Sequence, residues 1–205
     1  MGNRGRVPLL WNSGEKSTEA AENHTKKKTK RYQGQDPQKV AEYKEKIKDI
    51  PIEKIAYVDE TGIDDFLYRE YARASRGTPV YGAVRGRKYQ RCSIVAAKMG
   101  HAVTAPFEYS GTMNGELFES WFVNQLLPAL PEEAVIVMGN ACFHRKKRLN
   151  ELTEKNGRTL IFLPPYSPEL NPIEHFWGWL KKKIRDFLQE CDGLDEAISN
   201  AFQVW

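Results

Sequence analysis

Short apolar runs separated by polar and glycine positions recur after residue 50, and they predict the strands of a sheet. The six runs occupy residues 55–58, 80–84, 89–98, 102–109, 134–138 and 160–163. Gly86 and Gly100 lie between the second, third and fourth runs, where hairpin turns are expected. The pattern therefore predicts antiparallel strands early in the domain and more isolated strands later.

Helical spacing predicts four helices, at residues 37–49, 114–127, 145–155 and 172–189. The first has Asp36 as its N-cap and Pro37 at its first helical position, with Tyr43 and Ile47 on its apolar face. On the last helix, six apolar residues share the face that we expect to meet the core. They are Ile173, Phe176, Trp177, Leu180, Ile184 and Leu188.

The order of these elements predicts an α/β domain. Strands come first and then alternate with helices, which is typical of a mixed sheet flanked by helices. Residues 1–35 are polar and show no steady period, which favours a largely disordered arm. We therefore predict a basic arm at 1–35, a linker helix at 36–50 and a globular domain at 51–205. The pattern alone does not choose among α/β folds.

The formal net charge of +4 is concentrated in the predicted arm. Residues 1–50 hold twelve Lys and Arg against seven Asp and Glu, whereas residues 51–205 hold nineteen against twenty. A basic arm favours polyanions such as DNA, because binding releases condensed counterions. A solvated tail without a partner is the alternative.

Other features of the composition exclude several classes of protein. The chain has no run of about 18 apolar residues, so no membrane helix is predicted, and no secretory signal pattern is visible. The three cysteines, Cys92, Cys142 and Cys191, are scattered, which argues against a disulfide framework or a zinc site. We expect a cytoplasmic protein with three buried thiols.

Three segments carry candidate chemistry. Residues 57–62 read Tyr-Val-Asp-Glu-Thr-Gly, and residues 137–141 read Val-Met-Gly-Asn-Ala. Residues 164–177 read Pro-Pro-Tyr-Ser-Pro-Glu-Leu-Asn-Pro-Ile-Glu-His-Phe-Trp. Asp59 and Gly139 each follow an apolar run, so we expect both at the carboxyl ends of strands, where open sheets present ligands. Glu174 lies at the start of the last predicted helix.

Together these segments resemble the catalytic signature of DDE transposases, in particular the bacterial insertion-sequence branch of the mariner-type superfamily. The string at 164–177 and the 34 residues between position 139 and Glu174 carry the resemblance, which extends over residues 26–200. It implies a ribonuclease H-like fold in which three carboxylates hold two Mg²⁺ or Mn²⁺ ions for phosphoryl transfer. It also implies cleavage of transposon ends, strand transfer into target DNA at a TA dinucleotide, dimeric assembly and association with the bacterial nucleoid.

One position departs from that signature. The family places a catalytic aspartate where this chain has Gly139, and glycine offers no metal ligand. The catalytic and metal-binding residues implied are then Asp59 and Glu174 alone. Asn140 is adjacent, but successive strand residues point to opposite faces, so it does not easily substitute. Two functions stay open, the catalytic-domain portion of an active transposase and an inactive remnant that binds only DNA or an intact transposase.

The region before the domain also departs from the resemblance. Family members usually carry helix-turn-helix modules there, and residues 1–50 are too short and irregular for them. The resemblance therefore implies a truncated copy, or one frame of a split element that joins an N-terminal partner. An unrelated ribonuclease H-like nuclease is a third possibility, against which the string at 164–177 argues.

Basic residues near these positions are candidates for holding the DNA backbone. Glu174 shares a helix face with several of them, because residues three and four apart are neighbours on a helix. The predicted DNA-binding residues are Lys26, Lys27, Lys28, Lys30, Arg31, Arg145, Lys146, Lys181, Lys182 and Arg185. An ordinary solvated surface is the alternative for each.

Structural roles compete for some residues of the motif. Asn171 as N-cap, Pro172 at the first helical position and Glu174 two positions later match a capping pattern, which would give Glu174 a purely structural role. His144 and His175 are predicted to be partly buried packing groups rather than metal ligands.

Overall fold

Five strands form one mixed sheet in the computed structural model, which describes residues 32, 34–65, 73–81 and 91–205. The strands are β1 (Ile55–Asp64), β2 (Arg91–Met99), β3 (Ala102–Tyr109), β4 (Val135–Met138) and β5 (Thr159–Phe162). Their spatial order is β3-β2-β1-β4-β5. The first three pair antiparallel, and β4 and β5 run parallel to β1. The predicted mixed sheet is confirmed.

The β2–β3 hairpin forms where the sequence predicts it. Gly100 lies in its turn with φ of +57°, a left-handed conformation that glycine adopts without the usual steric penalty. The predicted turn at Gly86 lies outside the described residues. Of the strand predicted at 80–84, the described residues Val80 and Tyr81 are not in a strand, and the rest cannot be compared.

Strand β1 is longer than its apolar run predicts. Its pairing with β4 ends at Val58, opposite Met138, whereas its pairing with β2 continues from Asp59 to Asp64. The prediction that Asp59 lies at the end of its strand is therefore wrong. Asp59 instead lies inside β1, at the point where the parallel neighbour stops and one flank of the strand becomes open.

Six α-helices surround the sheet in the described residues. They are α1 (Pro37–Ile47), α2 (Gly115–Trp121), α3 (Leu127–Ala129), α4 (Lys146–Lys155), α5 (Ile173–Phe187) and α6 (Leu194–Gln203). A π-helical segment, Phe122–Leu126, joins α2 to α3, and short 3₁₀ helices occupy Ile52–Lys54 and Pro168–Leu170. The sequence pattern did not predict α6.

The two faces of the sheet pack on different helices because neighbouring strand residues point in opposite directions. Tyr57 and Val137 belong to the core beneath α1, α5 and α6. Val58 and Met138, one position further along, belong to the core beneath α2 and α4. By the same alternation, Asp59 lies on the α5 side of the sheet, and Gly139 is the first residue after the end of β4.

Helix α1 begins as the sequence predicts. The Asp36 carboxylate accepts hydrogen bonds from the backbone N–H groups of Gln38 (2.9 Å) and Lys39 (3.4 Å), and Pro37 is the first helical residue. Tyr43 is 4% exposed and packs in the core with α5 and α6. The predicted division into arm, linker helix and domain stays a prediction, and the arm lies almost entirely outside the described residues.

The five core positions from Ile173 to Ile184 predicted for α5 are buried, and Leu188 packs against the same core half-buried. None of the three cysteines is paired in a disulfide. Cys92 is buried, but Cys142 is exposed and Cys191 half-buried, so the prediction of three buried thiols is wrong. Within the described ranges, no helix has both the length and the apolar character to cross a membrane.

Candidate active site

A cavity of about 540 Å³ opens at the edge of the sheet where β4 ends. Asp59, Gly139 and Glu174 all line it. Its remaining wall consists of residues 163–168, Asn140 and Asn171. The structure thus brings together the three positions that the sequence singles out, although they come from a strand, a loop and a helix.

The register of the sheet explains this meeting. Val58 and Met138 are the last pair of the parallel ladder, so Asp59 and Gly139 are the next residue of each chain segment and both line the cavity. Helix α5 packs on the same face, where the Trp177 indole Nε1–H donates to Asp59 Oδ2 at 3.2 Å. Glu174 is one turn before Trp177 on the same side of the helix. The buried indole, 2% exposed, therefore orients the Asp59 carboxylate and holds the start of α5, which carries Glu174, next to β1.

The electrostatics of the pair favour a bound cation. The pKa of Asp59 is raised from 3.8 to about 6. Burial is the largest cause of the rise, and the negative charge of Glu174 is the second. The N–H groups of Glu60 and Trp177 and the charge of Lys181 oppose the rise in pKa only in part. Two ionised carboxylates are unfavourable here without a positive partner.

The side of Gly139 where a side chain would lie faces open space. An added Cβ at Gly139 would meet no atom within 4 Å. The His144 Nδ1–H donates to the Gly139 carbonyl oxygen at 3.0 Å, and burial lowers the pKa of that histidine. Its ring packs 4.5 Å from Phe118, between centroids, so a neutral His144 holds the backbone at the end of β4.

The described residues lack a third acidic ligand at this edge. They contain no group of three or more His, Cys, Asp and Glu side chains arranged to hold a metal ion. Asp59 and Glu174 provide hard oxygen donors, the ligand type that Mg²⁺ and Mn²⁺ prefer. The donor set fits one divalent cation, with the remaining coordination positions left to water and phosphate.

Two of the predicted DNA-binding lysines are linked to the cavity. The ammonium group of Lys146 donates to the side-chain oxygen of Asn140 and lies 5.0 Å from the centre of the Phe162 ring. Lys181 lies near enough to Asp59 for its charge to lower the pKa of that carboxyl. Both cations are therefore close to residues that line the cavity.

The other predicted basic residues are placed differently. Arg145 forms ion pairs with Glu116 at 3.6 Å and Glu119 at 3.7 Å, so its guanidinium is already engaged. Lys182 and Arg185 follow on α5, at least two turns after Glu174. The segment 26–31 is outside the described residues. Of the predicted set, Lys146 and Lys181 are thus associated with the cavity.

Sequence reasoning misassigned or missed three residues of this site. Asn171 does not cap α5, because the helix has no side-chain cap and the Asn171 Oδ1 atom is buried without a hydrogen-bond partner. Trp177 was placed in the core, which is correct, but its hydrogen bond to Asp59 was not foreseen. Tyr166, which lines the cavity and is 64% exposed, was not singled out.

The five-stranded mixed sheet, flanked by helices and carrying acidic residues at this edge, is a ribonuclease H-like fold. Residues 54–195 match the DDE superfamily endonuclease family, and the chain belongs to that family. An uncharacterized protein of Sinorhizobium fredii, y4pE/y4sA, is 32% identical over 78 residues, which cover 35% of this chain and 50% of that protein. The chain thus matches about half the length of this curated relative.

Solved structures of Mos1 transposase share the fold. The paired-end complex with the left transposon end superimposes with a TM-score of 0.61 at 15% identity, covering 78% of this chain and 53% of that one. A pre-cleavage Mos1 transpososome gives 0.59 at 14% identity, covering 89% and 64%. At such identity the likeness establishes the fold alone, and this chain spans less than two thirds of either Mos1 chain.

Proposed function

We propose that this chain is the catalytic-domain portion of a DNA transposase that cuts transposon ends and joins them to target DNA by phosphoryl transfer. The observation that carries the proposal is the meeting of Asp59 and Glu174 in one cavity, in a chain of the DDE endonuclease family. The Mos1 structures with the same fold include paired-end complexes with Mn and with Mg. These complexes support DNA and a divalent cation as the partners of this chain.

The roles of the chain's own residues follow from their positions. Asp59 and Glu174 would hold the divalent cation, and Trp177 orients the Asp59 carboxylate through its N–H group. A divalent cation bound there would help to activate an attacking oxygen and stabilise the leaving oxygen at a phosphate. Lys146 and Lys181 would hold the DNA phosphates beside the carboxylates.

A second candidate function rests on Gly139. With two carboxylates instead of three, the site has less negative charge to hold two cations and less capacity to stabilise charge in the transition state. The chain would then be an inactive remnant that still binds DNA or an intact transposase. Both candidates predict DNA binding, and they differ in cleavage.

The substitution Gly139→Asp separates these candidates. The open space at position 139 lets a side chain enter, and the strand register directs it to the Asp59 side of the sheet. We expect calorimetric titration with Mn²⁺ to show tighter binding or an added site in the variant. With a DNA-binding module supplied, we expect cleavage of transposon-end DNA to rise by about 100-fold or more, as for other preorganised charge-stabilising groups.

Gly139→Asn is the matched control because it fills the same space without a charge. If both variants behave alike, occupancy of the space rather than a third carboxylate explains the result. If the unmodified chain cleaves as well as Gly139→Asp, another group supplies the missing ligand and the remnant is excluded. If every form binds DNA and none cleaves it, the remnant is the correct function.

The same proposal covers the assembly and setting of the protein. A helix-turn-helix module, on a partner chain or joined through the other frame of a split bacterial insertion sequence, would recognise the transposon ends. The chain would act as a homodimer at the nucleoid, with the basic arm at 1–35 and the linker helix at 36–50 preceding the catalytic domain. Light scattering with and without transposon-end DNA tests the dimer, because a monomeric complex contradicts it.

A further inference from the structure

Tyr166 is an exposed aromatic residue at the mouth of the candidate active site. It lines the same cavity as Asp59 and Glu174, yet 64% of its surface is open to solvent. Its φ of +57° places it in the left-handed region, which is uncommon for a residue with a side chain. Strained backbone of this kind is concentrated at active sites and ligand-binding segments.

A neighbouring segment holds the ring in place. Gly34 lies against one side of Tyr166, and a Cβ added there would come within 3.3 Å of the ring atoms Cδ2 and Cε2. Glycine is also suited to this position because its φ is +101°. The ring is therefore supported at close range by backbone that a larger residue would push away.

The loop that carries the ring is tied down as well. The Gln35 side-chain amide donates to Ser167 Oγ at 2.9 Å and to the Tyr166 carbonyl oxygen at 3.5 Å. Ser167 is 4% exposed, and its hydroxyl donates to the Pro165 carbonyl oxygen at 3.2 Å. The backbone that carries the exposed ring is thus anchored by hydrogen bonds, and Gly34 lies against one side of the ring.

We infer that Tyr166 is a stacking platform for an unpaired base of the DNA strand whose phosphate lies at Asp59 and Glu174. The inference rests on the proposed function, because it presumes that DNA is the substrate. A nucleotide carries both an aromatic face and a phosphate, and this cavity is lined by the Tyr166 ring and by Asn140, whose side-chain oxygen accepts a hydrogen bond from the Lys146 ammonium group. Stacking does not depend on which base is present, since every base has a π-face.

The anchored loop would help Tyr166 to bind a base. A platform that is already ordered loses little freedom when a base lands on it, so less of the stacking energy is spent on ordering the site. The volume of about 540 Å³ falls within the range of about 300–1,000 Å³ typical of ligand sites, which is enough for a nucleotide beside the carboxylates.

The test compares two DNA probes by fluorescence anisotropy in Ca²⁺. One is a short duplex that ends in a few unpaired nucleotides, and the other is the same duplex with a blunt end. We expect Tyr166→Ala and Tyr166→Leu to weaken binding of the first probe by about 5- to 150-fold and of the blunt probe far less. Tyr166→Phe keeps the ring and should restore the affinity.

Two further variants make the result specific. Tyr81 is 89% exposed and does not line the cavity, so Tyr81→Ala should bind both probes as the unmodified chain does. Gly34→Ala should move the ring without removing it, and it should weaken binding of the unpaired probe. Thermal unfolding of each variant identifies any that fail to fold. If Tyr166→Ala is one of them, the single variants Tyr166→Leu and Gly34→Ala replace it in the comparison with the unmodified chain.

The outcomes distinguish this inference from the proposed function. If the unmodified chain binds DNA but Tyr166→Leu binds the unpaired probe equally well, stacking is wrong and the proposed function stands. If Tyr166→Leu matches the unmodified chain while Tyr166→Ala is weak, the contact is apolar rather than stacking, and the inference fails. If the unmodified chain binds neither probe, the inference fails, and the cleavage assay with a supplied DNA-binding module decides the proposed function separately.

Discussion

Replacing Asp59 with Asn should stabilise the metal-free protein at neutral and higher pH. The ordinary pKa of this carboxyl, 3.8, is raised to about 6 in the folded chain, chiefly by burial and then by Glu174. The folded state therefore binds the Asp59 proton more tightly than the unfolded state does. Ionisation of this group opposes folding above about pH 6, and the opposition disappears below about pH 4.

The shift sets the size of the effect. About two pKa units at about 1.4 kcal/mol each correspond to roughly 3 kcal/mol of unfolding free energy. Asn keeps an oxygen that can accept the Trp177 N–H hydrogen bond, so Asp59→Asn should recover most of that amount. For a chain of this length, about 3 kcal/mol corresponds to a rise of roughly 6–12 °C in Tm.

Urea unfolding in EDTA at two pH values measures this directly. At pH 8 we expect Asp59→Asn to be more stable than the unmodified chain by up to about 3 kcal/mol, and at pH 4 the two should be nearly equal. Glu174→Gln is the control, because it removes the neighbouring charge but leaves Asp59 buried, so its gain should be smaller.

Saturating Mn²⁺ should reverse the order of stability. Binding to the folded state stabilises the unmodified chain by an amount set by the ratio of Mn²⁺ concentration to Kd, about 4.1 kcal/mol at a thousandfold ratio, which exceeds the advantage of about 3 kcal/mol expected for the variant. Asp59→Asn lacks a ligand and should gain little. A variant that is less stable than the unmodified chain at pH 8 in EDTA would refute the reasoning, because burial of the Asp59 charge would then not oppose folding.

Three further predictions concern DNA and metal binding. Deleting residues 26–31 should flatten the dependence of DNA affinity on salt, since fewer counterions are released, and an unchanged slope would show that the arm is not involved. Lys146→Ala should reduce the slope of DNA affinity against salt concentration by about 1. Arg145→Ala should reduce that slope less, because Arg145 is ion-paired with glutamates. Equal slopes for the two variants would contradict this assignment. Trp177→Phe should weaken Mn²⁺ binding in calorimetry, because Asp59 loses a donor to its charged form; unchanged affinity would show that the indole does not support the site.

The sequence pattern predicts those elements that are determined by residues close together in the sequence. Strand β3 occupies the residues predicted, and the turn at Gly100 defines where it begins. The buried face of α5 was also predicted, since helical spacing alone selects it. Helix α6 was missed although Leu194, Ile198 and Ala201 have helical spacing, because small alanines weaken the apolar signal.

Features that depend on a distant partner were not predictable from the pattern. The length of β1 follows from its pairing with β2, which the apolar run at 55–58 does not encode. The grouping of Asp59, position 139 and Glu174 was foreseen only through the resemblance to DDE transposases. The contact of Gln35 with Ser167 joins residues 132 positions apart, and no local signal announces it.

The open space around position 139 bears on how easily this edge of the sheet could gain a third carboxylate by mutation. Beyond its neighbours in the chain, Gly139 has no atom within 4 Å of where its Cβ would lie, so no other part of the fold occupies the room that a side chain would need. A single change in the second nucleotide of a glycine codon gives an aspartate or a glutamate codon, depending on the third nucleotide. One point mutation would therefore add a third carboxylate beside Asp59 and Glu174, without any compensating change in the surrounding fold.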